Sequence, residues 1–223
     1  MQGFADEFGA GQVIKLDASS DESIDLAALE LANRWTDGFD GFVHSIGWAP
    51  RESISGSFLE GASREGFLSA MNVSVYSYIA MAKRMVPLMA GHKASLLTLS
   101  YVGGEKVVPN YNTMGLCKAA LESATRYIAA DVGPQGIRAN TLSCGPIKTL
   151  AASGIKGFSS MLAQCKAVSP TRSWFQLMKS ATPQPSFFPT ILLESLRKPS
   201  ISTAALMLLP AASIRQHLKT PNH

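Results

Sequence analysis

The sequence predicts an α/β protein built on a doubly wound parallel sheet. Three short apolar runs predict its strands, and each run ends in small or polar residues: Asp40 to Trp48, Ser95 to Tyr101 and Ile137 to Ser143. Segments with helical spacing separate these runs, as expected when crossover helices join parallel strands. With 223 residues, 46% of them hydrophobic and 16% charged, the chain is long enough for one good-sized core.

The first predicted element is a short strand from Gln12 to Leu16 that ends at Asp17. An acidic residue at this place is typical of a turn that leads into a helix. Ser20 or Asp21 is a suitable N-cap, and the spacing after it predicts an amphipathic helix carrying Ile24, Leu26, Ala27, Leu29, Leu31 and Trp35. We interpret Trp35 as a packing residue rather than a ligand.

The Asp40 to Trp48 strand ends in Ser45-Ile46-Gly47. In a doubly wound sheet this end of the strand faces a bound nucleotide, and Gly47 allows close approach of the backbone to a ligand. A long helix is predicted from Arg64 to about Met89, with a core face made of Phe67, Met71, Val75, Tyr78, Met81 and Met85.

The stretch from Leu96 to Lys118 carries the strongest chemical signal. It starts as a buried strand ending at Tyr101, crosses a glycine-containing connection, and becomes helical around Tyr111. Tyr111 and Lys118 are seven residues apart, so they share one face of a helix. An ammonium beside a phenol is expected to lower the phenol pKa from its usual ~10, which suits a proton donor. The same spacing also arises by chance on amphipathic helices.

The helix after Tyr111 is predicted to end at Gly133-Pro134. The Ile137 to Ser143 strand follows, and Gly145-Pro146-Ile147-Lys148-Thr149 comes directly after it at the carboxyl edge. From the residues alone, this last segment is equally well explained as an ordinary strand–turn–helix connection.

The net charge of +4 is concentrated at one end of the chain. From Thr171 onward there are six basic residues and one acidic residue, against 14 basic and 15 acidic residues before it. Because this tail lacks interleaved aromatic and basic residues, we predict no nucleic-acid partner.

The three cysteines, Cys117, Cys144 and Cys165, are widely spaced without a Cys-x-x-Cys pair, so they are interpreted as reduced thiols. No metal site is predicted. The absence of a long apolar run and of a signal peptide predicts a cytoplasmic protein without a membrane partner.

Several motifs together resemble a known family. Tyr111 to Lys118 reads Y-x-x-M-x-x-x-K, the pattern of the divergent short-chain dehydrogenases/reductases, and Tyr101, ten residues upstream, resembles the second tyrosine of their enoyl-acyl-carrier-protein reductases. The segments SREGF, DGFVHSIGWAP and GPIKTLAASGIKGF are similar to the NADH-dependent bacterial enzymes of fatty-acid biosynthesis. The similarity runs from about Phe4 to about Thr171.

This resemblance implies a Rossmann-like fold, an NADH/NAD cofactor and a trans-2-enoyl thioester substrate on acyl carrier protein. The implied catalytic residues are Tyr101, Tyr111 and Lys118. The implied cofactor contacts are Asp17, Ser45, Ile46, Gly47, Lys118, Ile147 and Thr149. The implied substrate contacts are Trp48, Ala49, Tyr101, Met114 and Phe158. The family also implies a homo-oligomer, a tetramer in relatives, that meets through the two long helices.

The chain departs from the family at both ends. No strand–glycine–helix unit precedes the Val13 strand in this sequence, so we expect most of the phosphate cradle to be absent and the fold to be an incomplete Rossmann-like doubly wound sheet. We predict a truncated reductase domain over residues 1–172 and an unrelated tail over residues 173–223, for which a frame shift and disorder are the two explanations considered. Short helices are predicted in the tail at Leu192-Leu193 and Ala204 to Leu209.

In the family strand order, these losses are expected to leave the central strands with two bare edges, which costs stability and favours aggregation. Two functions therefore compete. One is an NADH-dependent enoyl-acyl-carrier-protein reductase in which Tyr111 stabilises the enolate. The alternative is an inactive remnant that at most associates with full-length subunits. A third hypothesis, a carbonyl reductase of the same family, is disfavoured by Met114 and the second tyrosine.

Overall fold

A computed structural model of the chain describes residues 13–145, 159–160, 162–163, 167 and 207–210. Its sheet has the order β3-β2-β1-β4, with β1 at Phe39–His44, β2 at Ser95–Ser100, β3 at Arg138–Ser143 and β4 at Met207–Pro210. Strands β1, β2 and β3 are parallel, so that Leu97 of β2 pairs with Val43 on one side and with Asn140 on the other. The predicted α/β class with a parallel sheet is confirmed.

The helices are α1 (Asp21–Arg34), α2 (Phe58–Gly61), α3 (Arg64–Met71), α4 (Ser77–Met85) and α5 (Thr113–Val132). A π turn, Asn72–Tyr76, joins α3 to α4, and short 3₁₀ turns lie at Arg51–Ile54, Val86–Met89, Val102–Gly104 and Gly133–Gln135. The predicted cap of α1 is confirmed, because the Ser20 hydroxyl accepts the N–H of Ser23 at 3.2 Å. The predicted end of α5 at Gly133 is also confirmed.

The main core lies between the sheet and helices α1, α4 and α5. It includes the fully buried side chains of Ile24, Phe42, Tyr78, Met85, Leu96 and Leu121. Each large apolar side chain buried in this way stabilises the fold by roughly 1.5–3 kcal/mol. Trp35 packs edge-on against Phe39, with ring centroids 5.8 Å apart, which confirms its packing role. Arg84 of α4 forms ion pairs with Asp21 and Asp25 of α1.

Two sequence predictions in this part of the chain are wrong. The described part of the predicted first strand, residues 13–16, has no strand structure and leads directly into a turn. Residues 1–12 lie outside the described part of the chain. Phe67 was placed on the core face of the long helix but is 40% exposed, whereas Tyr78, Met81 and Met85 on the same predicted face are completely buried.

The tail also differs from expectation. Met207–Pro210, where a helix was predicted, is a strand that pairs antiparallel with β1, Phe42 lying opposite Leu208. The β1 edge is therefore covered, and the expectation of two bare edges is wrong on this side. Strand β3 ends the described sheet on the other side, and its residues alternate between exposed and half-buried over most of its length. The predicted tail helix at Leu192-Leu193 lies outside the described residues.

Among the described residues, no helix combines the length and apolar character needed to cross a membrane. Cys117 and Cys144 are free thiols, as predicted, and Cys165 lies outside the described part. No group of three His, Cys, Asp or Glu side chains within the described ranges is arranged to bind a metal ion.

Candidate active site

The carboxyl ends of β1 and β2 and the start of α5 bring most of the predicted site residues together. Lys118 points back from α5 to the sheet, and its Nζ donates a hydrogen bond to the Leu99 carbonyl at 2.7 Å. The backbone at Gly47 passes close to the same ammonium, since a Cβ built there would lie 3.9 Å from Lys118 Nζ and 3.4 Å from Met114 Cε. The strand exit and the Tyr–Lys segment therefore form one site.

Lys118 is a buried ammonium at the edge of this site. The residue is only 9% exposed, and burial lowers the pKa of its amine to about 8. An ammonium has three N–H donors, and Leu99 provides the one hydrogen-bond acceptor found for it among the described residues. Within the described ranges the other two donors of this desolvated cation have no acceptor, and their arrangement fits the vicinal hydroxyls of a polar ligand well.

Tyr111 lies in the turn that precedes α5 rather than within the helix. It is 8% exposed, and its ring meets the Tyr101 ring edge-on with centroids 5.0 Å apart. Burial, reinforced by the neighbouring Tyr101, raises the pKa of the Tyr111 phenol. The prediction that Lys118 lowers this pKa is wrong for this arrangement, because desolvation of the phenolate outweighs any attraction to the ammonium. The phenol is therefore a neutral hydrogen-bond donor.

A glycine turn, Val102–Gly104, holds the Tyr111 ring from the other side. A Cβ built at Gly103 would lie 2.5 Å from Tyr111 Cδ1, closer than any side chain can come. A Cβ at Gly115, in the first turns of α5, would lie 2.7 Å from the Gly103 carbonyl oxygen. Both glycines thus allow the turn to contact the phenol and the helix. The sequence analysis missed them, although the Gly-Gly pair after β2 was a usable signal.

Three of the predicted substrate contacts, Trp48, Ala49 and Met114, lie beside α3 and the π turn. Ala49 and Met114 pack around the buried side chains of Val75 and Cys117. The main chain of Trp48 is bound by Ser74, whose hydroxyl contacts both the Trp48 N–H and its carbonyl oxygen at 2.8 Å. Ser74 was also missed from the sequence. No sequence signal could have found it, since its position depends on the π turn.

Two of the predicted cofactor contacts, Ser45 and Ile46, lie between β1 and Gly47. Both are half-buried, and Ile46 packs against the main core. The packing of Ile46 therefore holds the Ser45–Ile46 segment against the main core.

His44, the last residue of β1, is a buried polar anchor beneath the site. The Ser77 hydroxyl donates to the Val73 carbonyl at 2.6 Å, so it accepts a hydrogen bond from His44 Nε2, which lies 2.9 Å away. The other ring nitrogen, Nδ1, lies 3.2 Å from the Thr98 hydroxyl, whose single proton is shared between this nitrogen and the His44 carbonyl oxygen 3.3 Å away. Burial lowers the pKa of this imidazole to about 3, so it is neutral. The sequence analysis did not single out His44.

Asp17 is not linked to the site by any described contact. Its carboxylate accepts hydrogen bonds from the Ser19 N–H at 2.9 Å and the Ser19 hydroxyl at 2.7 Å, and these bonds hold its pKa below the usual value. This is the turn geometry expected of an acid that leads into a helix. The predicted contacts Ile147, Thr149 and Phe158 lie outside the described residues.

The chain is similar to enoyl reductases over most of its length. The family model described as enoyl-(acyl carrier protein) reductase matches residues 1–182. The enoyl-(acyl-carrier-protein) reductase (NADH) of Salmonella typhimurium is 51% identical over 169 residues, which cover 76% of this chain and 64% of that protein. The Escherichia coli enzyme of the same name is 50% identical with the same coverage.

Solved structures give the same result. The crystal structure of the enoyl-(acyl-carrier-protein) reductase (NADH) from Aquifex aeolicus matches with a TM-score of 0.73 and 45% identity, covering 77% of this chain and 66% of that one. The Anaplasma phagocytophilum reductase in complex with NAD matches with a TM-score of 0.71 and 41% identity, covering 76% and 64%. The chain spans slightly less than two thirds of the length of these relatives. It belongs to the enoyl-(acyl-carrier-protein) reductase family.

Proposed function

We propose that this chain is an NADH-dependent reductase of trans-2-enoyl thioesters carried by acyl carrier protein. The observation that carries the proposal is the buried Lys118 ammonium, which lies against the Gly47 backbone at the carboxyl edge of a parallel sheet and has one acceptor, Leu99, in the described part of the chain. Ligands of doubly wound sheets bind at this edge. Family membership supports the same activity.

On the cofactor side, Lys118 donates hydrogen bonds to the ribose hydroxyls next to the nicotinamide. The backbone of Ser45, Ile46 and Gly47 lies against the same riboside, and the absence of a side chain at Gly47 allows that approach. Asp17, Ile147 and Thr149 remain predicted contacts to the adenine, the carboxamide and a phosphate. Bound NADH supplies the hydride that adds to the β-carbon of the enoyl thioester.

On the substrate side, Tyr111 stabilises the negative charge that develops on the thioester carbonyl oxygen. Because burial raises its pKa, the phenol keeps its proton at neutral pH and can donate it as a strong hydrogen bond in a desolvated site. It then supplies the proton that completes the reduction. Tyr101 supports this role by holding the edge of the Tyr111 ring. The buried position of the Tyr111 ring limits the access of water to the oxyanion.

The acyl chain binds beside Trp48, Ala49, Tyr101, Met114 and Phe158. Met114 is a suitable lining residue because its flexible thioether adapts to chains of different shape. The protein partner is acyl carrier protein, and we propose assembly into a homo-oligomer, a tetramer as the resemblance implies. The cytoplasmic location stays a prediction from the sequence.

The test is titration of NADH followed by turnover of crotonyl thioester. We expect micromolar NADH binding, reduction of the thioester, and a loss of about 10²- to 10³-fold in kcat for Tyr111→Phe, which removes one oxyanion donor. Tyr127→Phe is the matched control, since Tyr127 lies on α5 but is 75% exposed, and its kcat should equal that of the wild type.

Unchanged kcat in Tyr111→Phe would remove Tyr111 from this role. Millimolar or absent NADH binding by the wild type would favour the inactive remnant.

A further inference from the structure

Ser74 occupies an unusual place in the helical hairpin under the site. It lies in the π turn Asn72–Tyr76, which joins α3 to α4, and it is 1% exposed. A π turn holds one residue more than an α turn, so it changes which side chains of the helix face the sheet. Such turns occur often at functional sites.

The Ser74 hydroxyl makes its two short hydrogen bonds to one residue, Trp48, and also lies 3.8 Å from the Met114 sulfur. It accepts the N–H of Trp48 at 2.8 Å and donates its proton to the Trp48 carbonyl at 2.8 Å. Trp48 lies beyond the end of β1, where strand pairing has stopped. The hydroxyl therefore replaces, for this residue, the main-chain partners that a neighbouring strand would provide.

These contacts control the backbone that faces Lys118. The Trp48 N–H belongs to the peptide unit that also contains the Gly47 carbonyl, and a planar trans peptide fixes the direction of the two groups relative to each other. Among the described residues no peptide bond is cis. Binding of the N–H by Ser74 thus sets the orientation of the Gly47 peptide, which packs against Met114 and the Lys118 ammonium.

We propose that Ser74 is a positioning residue for the cofactor side of the site. It does not touch the reacting atoms. It holds the Gly47–Trp48 peptide in the one orientation that leaves room for the nicotinamide riboside beside Lys118. The inference rests on the proposed function and adds to it a residue whose role depends on the π turn.

The test compares Ser74→Ala with Thr125→Val. Thr125 is a suitable control because it is also buried and its hydroxyl also makes two hydrogen bonds, to the Leu121 carbonyl at 2.9 Å and from the Thr141 hydroxyl at 2.8 Å. Neither of these hydrogen-bond partners is a residue placed in the site. The readouts are the dissociation constant for NADH by fluorescence, thermal stability, and hydrogen exchange at the Trp48 amide by NMR.

We expect Ser74→Ala to raise the dissociation constant for NADH about 10-fold or more and to lose protection at the Trp48 amide while β1 stays protected. Thr125→Val should lose about as much thermal stability as Ser74→Ala, while its dissociation constant for NADH should stay within about twofold of the wild-type value. If Ser74→Ala does not fold, Ser74→Cys, which keeps a side chain of similar size with weaker hydrogen bonds, is scored in the same way.

Wild-type NADH affinity in Ser74→Ala, or equal weakening in both variants, would overturn the inference and leave the proposed function intact. Absence of NADH binding by the wild type would overturn both.

Discussion

Replacing Lys118 with methionine is expected to remove part of the pH dependence of folding stability. Burial moves the pKa of this amine from 10.5 to about 8. Between these values the unfolded chain binds a proton that the folded chain has lost, so stability rises as the pH rises through this window. For this shift, the expected gain between pH 7 and pH 9.5 is about 2 kcal/mol, since one pKa unit corresponds to about 1.4 kcal/mol.

The assay is urea unfolding of the wild type and Lys118→Met at both pH values. Subtracting the unfolding free energy of the variant from that of the wild type at each pH cancels the contribution of the other titrating groups. Loss of the hydrogen bond to Leu99 lowers the stability of the variant by the same amount at both pH values. Lys93→Met, at an exposed position, is the control and should retain the wild-type pH dependence. If the unfolding free energies of the wild type and Lys118→Met change equally between the two pH values, the ammonium is not desolvated and the predicted pKa shift is refuted.

Three further predictions follow from the same contacts. Burial lowers the pKa of His44 from 6.5 to about 3, so folding stability should fall as the pH falls below 6.5. Between pH 7 and pH 5 the wild type should lose about 2 kcal/mol of unfolding free energy more than His44→Gln, as measured by urea unfolding. Equal losses of stability in the two proteins would contradict this prediction. Gly103→Ala should lower kcat about 10-fold or more by displacing the Tyr111 ring, with little change in NADH affinity. Gly133→Ala, where a Cβ meets no atom within 4 Å, should keep the wild-type kcat. Ending the chain after Leu206 removes β4 and should cause concentration-dependent association beyond the wild-type assembly, measured by light scattering. A shortened chain with the same assembly size as the wild type at all concentrations would contradict the edge-protection role.

The parallel strands and the long helices could be predicted because their signals are local. The apolar run before Ser100 and the alanine-rich spacing of α5 each specify an element without knowledge of the rest of the chain. The meeting of Tyr101, Lys118 and Gly47 at one edge was also predictable, since parallel strands place their carboxyl ends on the same side of the sheet.

Other features depend on tertiary contacts that the sequence does not display. The phenol pKa of Tyr111 was predicted in the wrong direction because spacing reveals a nearby amine but not the burial of both groups. Ser74 was missed because the π turn, which places its hydroxyl on Trp48, has no compositional signature. Strand β4 was misassigned as a helix because pairing with β1, not local propensity, decides its conformation.

The most direct measurement is a fluorescence titration of NADH into the wild type and Lys118→Met, both shown to be folded. The buried ammonium of Lys118 at the sheet edge, with one acceptor among the described residues, predicts micromolar binding by the wild type. Its replacement is expected to weaken binding about 100-fold or more, because charge-assisted hydrogen bonds in a desolvated site are strong. Equal NADH affinities for the two proteins, or a wild type that binds NADH only at millimolar concentration, would contradict the proposal that Lys118 binds the cofactor.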